Sequence, residues 1–578
     1  MSGEAIKLDG GKIQEANIKV ISLRPQQDQI ASEIQKTHKL NALISKILAA
    51  RDFKPGKILA DFLEPTLKNA LPHPENLKNL DAAVELIAEV CAEKKPIAIC
   101  CDFDVDGLSG GAMLSRFLLD AKATNKVFVP DRFTEGYGLN SRMIDEIAKE
   151  NYGLVVAVDY GTTSISELEL AKSYGLRTIV IDHHHVESLP PADVFINPQQ
   201  EGCDFADRTL CAAGLVWYLI VALRKKIPQA KDLDPRNYLD LACLGTICDM
   251  VPLVGANRVI AKRGLEQLSV TRRAGLLALK EVVGIRKEVT CTHIGFGIGP
   301  RINAAGRMVN AEVVIDLLTT TDSRKASRLA KKLNKLNSER QDTEARIKEI
   351  AIKRVQEQSE LPWGLVVWDE KFHTGVIGIV AQRLVEAFYR PAIVAGQDNG
   401  VFKGSVRGIP GFSVVEALSD LQDFLQKFGG HAGAGGFSIE ESKLESFAAA
   451  FDQLCEKKLK SISTVATVKA DTEITLKDIS VELVEELNHF SPFGIGNPAP
   501  SLLIDNLLVR DFQVLKGEHI KVLLSDGSLQ IPGFLWKVSQ HPHIFKGAKI
   551  KVACKPELNS FNGITSLQLN IKAVELSL

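Results

Sequence analysis

The chain has 578 residues, too many for one hydrophobic core at roughly 100–200 residues per domain. With 45% hydrophobic and 24% charged residues it has the composition of an ordinary globular protein, which excludes a disordered, collagen-like or disulfide-stapled chain. Lys+Arg 70 against Asp+Glu 71 gives a net charge of -1, so no global positive field advertises nucleic acid, although a local basic groove stays compatible with that balance.

The first twenty residues hold no basic stretch followed by an apolar one and do not read as a secretory signal. Residues 1–80 are taken as an N-terminal segment. The longest apolar run, Leu210 to Leu223, is too short to span a bilayer comfortably, so a buried core helix is expected and no membrane association. Ten cysteines without a CxxC pair, several inside apolar runs (Cys100, Cys101, Cys243, Cys248), suit reduced buried thiols in a cytosol.

Residues 81–321 begin with an alternation of apolar runs and helical periodicity. Strands are expected at 96–101, 126–130, 154–158, 177–181 and 194–196, with helices at 81–94, 109–122, 141–150 and 164–174. This βαβα pattern predicts a parallel sheet with helices on both faces, whose ligands bind beyond the carboxyl ends of the strands. Residues 237–320 read as mainly helical. Residues 322–360 form one long charged helix, with Leu329, Leu333 and Leu336 at helical spacing; its charges read as a solvated face before nucleic-acid contact. A second αβ unit is expected over 361–460, with strands at 364–368 and 391–395 and helices at 375–389, 413–427 and 440–458. Short alternating segments over 461–578, with Asp526-Gly527 and Asn562-Gly563 as hairpin turns, predict a small β-barrel, the OB fold being one candidate. The fold class is therefore α/β: two αβ lobes joined by a long helix, with a C-terminal OB-like barrel.

The strongest local signal is Cys101-Asp102-Phe-Asp104-Val-Asp106-Gly107, three alternating carboxylates between an apolar strand and a glycine-rich helix start. A calcium loop of EF-hand type requires Glu at its twelfth position, which here is Met113. Two further strand ends repeat the theme: Asp159, and Asp182 with His183, His184 and His185. One terminal Asp per strand is often a helix cap, but three acidic or His clusters at successive carboxyl edges point to metal. Asp249, alone in an apolar context, needs a partner that the same cations supply. Carboxylates with imidazole and no thiolate set favour Mn²⁺ or Mg²⁺. So many acids suggest two ions about 3.5–4 Å apart, the arrangement that activates a water and stabilises attacking and leaving oxygens in phosphoryl transfer.

Asp102-Phe-Asp-Val-Asp-Gly, the Asp159 strand end, Asp182-His-His and the Asp249 segment, in this order, resemble the DHH phosphoesterase superfamily. Gly299-Pro-Arg301-Ile-Asn303-Ala-Ala-Gly-Arg307, His373-Thr-Gly-Val-Ile-Gly, Gly404-Ser405-Val-Arg407, Gly429-Gly-His431 and Ser491-Pro-Phe-Gly-Ile-Gly-Asn497-Pro are similar to its bacterial exonucleases that degrade single-stranded DNA from 5′ to 3′. The resemblance covers residue 50 to the end. It implies a DHH catalytic domain over 81–321, a DHHA1 domain over 361–460 and a nucleic-acid-binding OB-like domain over 461–578. It implies that Asp104 and Asp159 hold one ion and that Asp106, Asp159, His183 and Asp249 hold the other. Asp102, Asp182 and His184 then act in catalytic support, orienting ligands or the phosphate. Arg132, Tyr137, Arg301, Asn303, Ser405, Arg407 and His431 match phosphate-handling positions. Cys100 stands where related phosphatases carry a histidine. The activity implied is release of 5′-mononucleotides in DNA repair and recombination. The implied setting is a cytoplasmic monomer served by a helicase and a single-stranded-DNA-binding protein. The competing readings are a phosphoesterase for small substrates, disfavoured by the long helix and the barrel, and a non-catalytic nucleic-acid scaffold, disfavoured by the intact acidic set.

Overall fold

The structure, a computed structural model, describes residues 18 to 577 apart from 133, 539, 562 and 563. Its contacts divide the chain into two compact units. One gathers Gly56–Ser338 with the short stretch Phe490–Ala499; the other gathers the residues up to Pro55, Glu339–His489 and Pro500 onward. Compactness thus groups the chain differently from a division at residues 80, 321, 360 and 460.

In the first unit five strands run parallel in the order Asn125–Phe128, Ile97–Cys101, Leu154–Val158, Arg177–Ile181, Val194–Ile196. The three central strands are short, largely apolar and almost wholly buried, as a sheet covered on both faces demands. Their register positions the chemistry. Cys101 pairs with Val158 and Val158 with Ile181, so these strands end at one level, and the next residue of each is an aspartate: Asp102, Asp159, Asp182. The apolar run read as a core helix is helix Ala212–Lys226, whose residues from Ala212 to Ile220 are all buried. Among the described residues no helix is long and apolar enough to cross a membrane.

Helix Leu239–Cys248 ends at Asp249, and a non-helical stretch leads to helix Gly255–Ser269. Arg258 of that second helix is 1% exposed. Its guanidinium donates to the carbonyls of Phe62 (2.9 Å), Phe490 (2.9 Å) and Ser491 (3.2 Å) and lies 4.0 Å from the Phe62 ring centroid. Asn497 fastens the same loop, donating to Phe490 O and Pro492 O at 2.8 and 2.9 Å, while Leu253 N–H donates to Ile495 O at 2.7 Å. These bonds explain why Phe490–Ala499 belongs with residues more than 200 positions earlier.

Helix Ser323–Gln356 is the long charged helix. In the other unit, Leu365–Asp369 and Ala392–Asp398 are parallel, and Val401–Arg407, Ala434–Ile439 and Leu425–Gly430 continue the sheet antiparallel. The expected helix over 413–427 stops at Asp420. The chain then extends, because Phe428 pairs with Phe437 and Gly429-Gly430 are poor helix formers. The glycine-dense segment is accordingly a β-hairpin with His431 at its turn. The C-terminal strands Leu502–Leu515, His519–Ser525, Gln530–Leu535, Ile564–Leu576 and Lys549–Phe561 close into a five-stranded barrel of OB type. Asp526 Oδ1 accepts the Ser528 and Leu529 amides in its hairpin; Asn562-Gly563 lies outside the described residues.

Candidate metal centre

The carboxyl edge of the parallel sheet concentrates acid. Asp104 caps helix Val105–Asp120, its Oδ1 accepting from the Asp106 and Gly107 amides at 2.9 and 3.2 Å. Asp106 is fixed from the other side: its carboxylate accepts the first amides of helix Ala212–Lys226, Ala212 N at 2.8 Å and Ala213 N at 3.0 Å. A Cβ on Gly245 would lie 2.2 Å from Asp106 Oδ1, so only glycine fits there. Asp159 adopts φ 69°, a left-handed conformation that costs energy outside glycine and gathers at functional sites. Tyr137 donates its hydroxyl to Asp159 O at 3.0 Å and holds that turn.

Three groups of ligand atoms converge: Asp102, Asp104 and Asp159; Asp106, His183 and Asp249; and Asp159, His183 and His184, the atoms of each group lying within 4.8 Å of one another. His183 Nε2 lies 3.2 Å from Asp159 Oδ1, 3.6 Å from Asp249 Oδ2 and 3.8 Å from Asp106 Oδ2. Asp102 Oδ1, Asp159 Oδ1 and His183 Nε2 are buried and make no hydrogen bond. Orphaned buried polar atoms are rare, and here they face one another, which fits divalent cations among them. Electrostatics agree. Burial, then repulsion from the neighbouring aspartates, pushes Asp102, Asp104 and Asp159 above the usual carboxylate range and Asp249 up to about 8. Burial holds the His183 imidazole below its ordinary value, which favours its neutral form.

Asp182 stands behind this set. It accepts from Thr162 N (3.1 Å), Thr162 Oγ1 (2.6 Å) and the His183 amide (2.7 Å), and its Oδ1 lies 2.7 Å from His184 Nδ1. Burial opposes its charge, but the bonds from His184 and Thr162 outweigh burial and hold the carboxyl low. His184 rises to about 9, since Asp182 overcomes the loss of hydration. Asp182 thus stands behind the convergent atoms, while Asp102 and His184, read as supporting residues, each belong to one of the three convergent groups. Thr162, in the turn after Asp159, was missed; the signal was its place as the first aliphatic hydroxyl beyond a strand-end acid. Gly245, inside the Asp249 segment, was missed likewise.

Arg132 lies over the Phe103 ring at 5.1 Å, its charge disfavoured by burial and supported by Asp102 and Asp104. Arg301 donates to Asn334 Oδ1 (2.9 Å) and Gly297 O (2.8 Å) on helix Gly299–Met308. Asn303 is half-buried one turn before Gly306, whose Cβ position lies 2.7 Å from Phe103 O. Ser405, Arg407 and His431 belong to the other unit and form a cluster of their own. Arg407 donates to Ser405 Oγ at 3.0 Å, Gly408 N–H donates to Gly433 O at 3.1 Å, and His431 Nδ1 accepts from Gly433 N at 3.1 Å. Gly378 leaves room for this group, since a Cβ there would lie 2.9 Å from both Ser405 Oγ and Arg407 Nη2. Cys100 points to the opposite face of its strand from Cys101, into a core with Phe128, Leu139 and Met143, and belongs to none of the ligand groups.

A parallel αβ sheet with this carboxylate and imidazole edge defines a phosphoesterase of the DHH class. Family models agree: the DHH family N-terminal domain matches residues 96–246, the DHHA1 domain 360–457 and the RecJ OB domain 470–573. The chain is 33% identical over 565 residues to the single-stranded-DNA-specific exonuclease RecJ of Bacillus subtilis, covering 96% of this chain and 70% of that protein. With the protein of the same name from Escherichia coli it shares 32% identity over 564 residues, 93% of this chain and 97% of that one. Its fold matches the crystal structure of Thermus thermophilus RecJ in complex with Mn²⁺ at TM-score 0.82 and 29% identity, covering 96% of this chain and 79% of that one. The chain belongs to the RecJ family.

Proposed function

We propose that the protein is a metal-dependent exonuclease that degrades single-stranded DNA from the 5′ end to mononucleotides, in DNA repair and recombination. One observation carries the chemistry: three strands ending in register on Asp102, Asp159 and Asp182, with buried, unbonded ligand atoms facing one another. Related RecJ structures hold Mn²⁺ or Mg²⁺. Asp102, Asp104 and Asp159 would hold one ion and Asp106, His183 and Asp249 the other, with Asp159 shared and His184 at its edge. Bound there, two ions supply an acidified water and neutralise charge on the scissile phosphate.

The remaining groups position and select. Asp182 fixes the His183–His184 backbone and the His184 ring. Tyr137 holds the Asp159 turn, and the amides at the two helix ends anchor Asp104 and Asp106 against their mutual repulsion. Arg132, stacked on Phe103 beside the carboxylates, suits a phosphate oxygen, and Arg407 with Ser405 and the His431 hairpin suits the terminal phosphate. An exonuclease confined to single strands needs its substrate opened and kept open, which argues for a helicase and a single-strand-binding protein as partners. Ten free cysteines suit a reducing cytoplasm; sedimentation tests the expected monomer.

The test is a time course with Mn²⁺ on single-stranded DNA labelled separately at each end, with duplex, RNA and dinucleotides as controls. Mononucleotides from the 5′ end of single-stranded DNA are expected; turnover of dinucleotides alone, or binding without cleavage, would overturn the reading.

A further inference from the structure

The helix Ser323–Gln356 has two unlike halves. From Ser323 to Ser338 it carries Arg324, Lys325, Arg328, Lys331, Lys332 and Lys335 and no acid, in a chain whose charges as a whole balance at 70 against 71. One face of this half packs Ala326, Ala330, Leu333 and Leu336 into the core of the parallel-sheet unit. On the other face Arg324, Arg328, Lys331 and Lys332 are exposed, and none makes an ion pair or side-chain hydrogen bond with the described residues.

Solvated charged faces are ordinary when the signs alternate. This one runs against local rules. Arg324 and Arg328, Arg328 and Lys332, and Lys331 and Lys335 are like charges one turn apart, which repel. The basic stretch also begins at the helix N-terminus, where the macrodipole disfavours cations. The second half, from Glu339, intersperses acids and bases and pairs them, as in Arg340–Glu344 at 2.7 Å. Places where local preference is overridden without internal compensation mark sites whose compensation comes from a ligand.

We infer that the exposed cationic row Arg324–Arg328–Lys331–Lys332 is a binding site for the phosphodiester backbone of a single strand, beyond the nucleotide being cut. The inference rests on the exonuclease reading and extends it. The row is tied to the metal centre within one unit: Asn334 accepts from Arg301 on helix Gly299–Met308, and Gly306 of that helix abuts Phe103 between Asp102 and Asp104. From Arg324 to Lys332 the helix rises about 12 Å, room for about four phosphates at the spacing of a stacked strand. Arginine and lysine without partners neutralise phosphates independently of base identity, matching a substrate read without sequence preference.

The full-length triple variant Arg328→Gln, Lys331→Gln, Lys332→Gln tests this by fluorescence anisotropy in EDTA, with 30-nucleotide and 4-nucleotide oligothymidylate across a salt series. The substitutions are exposed and keep helix propensity, and circular dichroism verifies the fold. For the long strand the log–log salt slope is expected to fall by about 2, near 0.7 per lost phosphate contact, with affinity down about tenfold at low salt. The 4-nucleotide strand should bind as before. An unchanged slope on the long strand overturns the inference, as does equal loss on both lengths. Loss confined to anionic phosphatidylglycerol vesicles would assign the row to a lipid surface instead and equally overturn it. A wild-type chain that binds neither oligonucleotide refutes the exonuclease reading itself.

Discussion

The two αβ sheets carry their motifs in opposite ways. In the parallel sheet every strand points the same direction, so acids far apart in sequence reach one edge, and the fold leaves Asp102 Oδ1 and Asp159 Oδ1 buried and unbonded among crowded carboxylates. In the mixed sheet, Val401–Arg407 runs antiparallel to both neighbours, and its polar residues are satisfied among themselves, Arg407 bonding Ser405 and the Val406 carbonyl. The first edge stores electrostatic strain that a cation relieves. The second is already satisfied by its own hydrogen bonds and stores no such strain.

That contrast predicts effects of different size and kind. Asp159→Ala removes the acid shared by two ligand groups; hydrolysis should fall by about 10³-fold or more, with the fold intact by circular dichroism, and normal turnover by a folded variant would break the two-ion arrangement. Thr162→Val keeps volume and deletes one bond to Asp182; Mn²⁺ affinity, read by calorimetry, should weaken about tenfold, as for other outer-shell partners, while the Michaelis constant for DNA stays put. Arg407→Ala should do the reverse, raising the Michaelis constant for 5′-phosphorylated strands several-fold and leaving Mn²⁺ binding unchanged; an unaltered constant would remove the mixed sheet from substrate binding.

The smallest effect is on stability. Native carboxyls raised above the ordinary value near 4, up to about 8 for Asp249, bind protons that the unfolded chain has released. Without metal, stability should therefore fall as pH rises from 5 to 8. His184, raised to about 9, contributes stability present below its unfolded value and lost as pH climbs through 9, so it acts in the same direction. Saturating Mn²⁺ should flatten the curve of melting temperature against pH; a metal-free curve that rises instead would show that the acids are not strained.

The same contrast governs how much could be read from sequence. Parallel strands announce themselves as apolar runs, and their direction is set by the helices between them, so Asp102, Asp159 and Asp182 could be placed on one edge before any coordinates. The strands Leu425–Gly430 and Ala434–Ile439 could not, because glycines mask their pattern and only the pairing of Phe428 with Phe437 reveals a hairpin. Tyr137 was legible as a site residue but not in its task, since a hydroxyl bond to a backbone carbonyl leaves no trace in composition. Thr162 and Gly245 matter through a few local contacts, and such contacts have no periodicity to detect.

Arg258 bears on modularity. Matches to known domains suggest an interchangeable barrel beginning at residue 470, yet three of the carbonyls around this guanidinium come from residues 490 to 492. A chain ending at His489 would keep Phe62 O and lose the rest, leaving a charge in the interior at a cost on the order of 3 kcal/mol or more. Barrels exchanged among relatives should graft cleanly only when the donor's joint begins at Pro500 and the recipient retains its own Phe490–Ala499, because that ten-residue stretch packs with the parallel-sheet unit rather than with the strands that follow it.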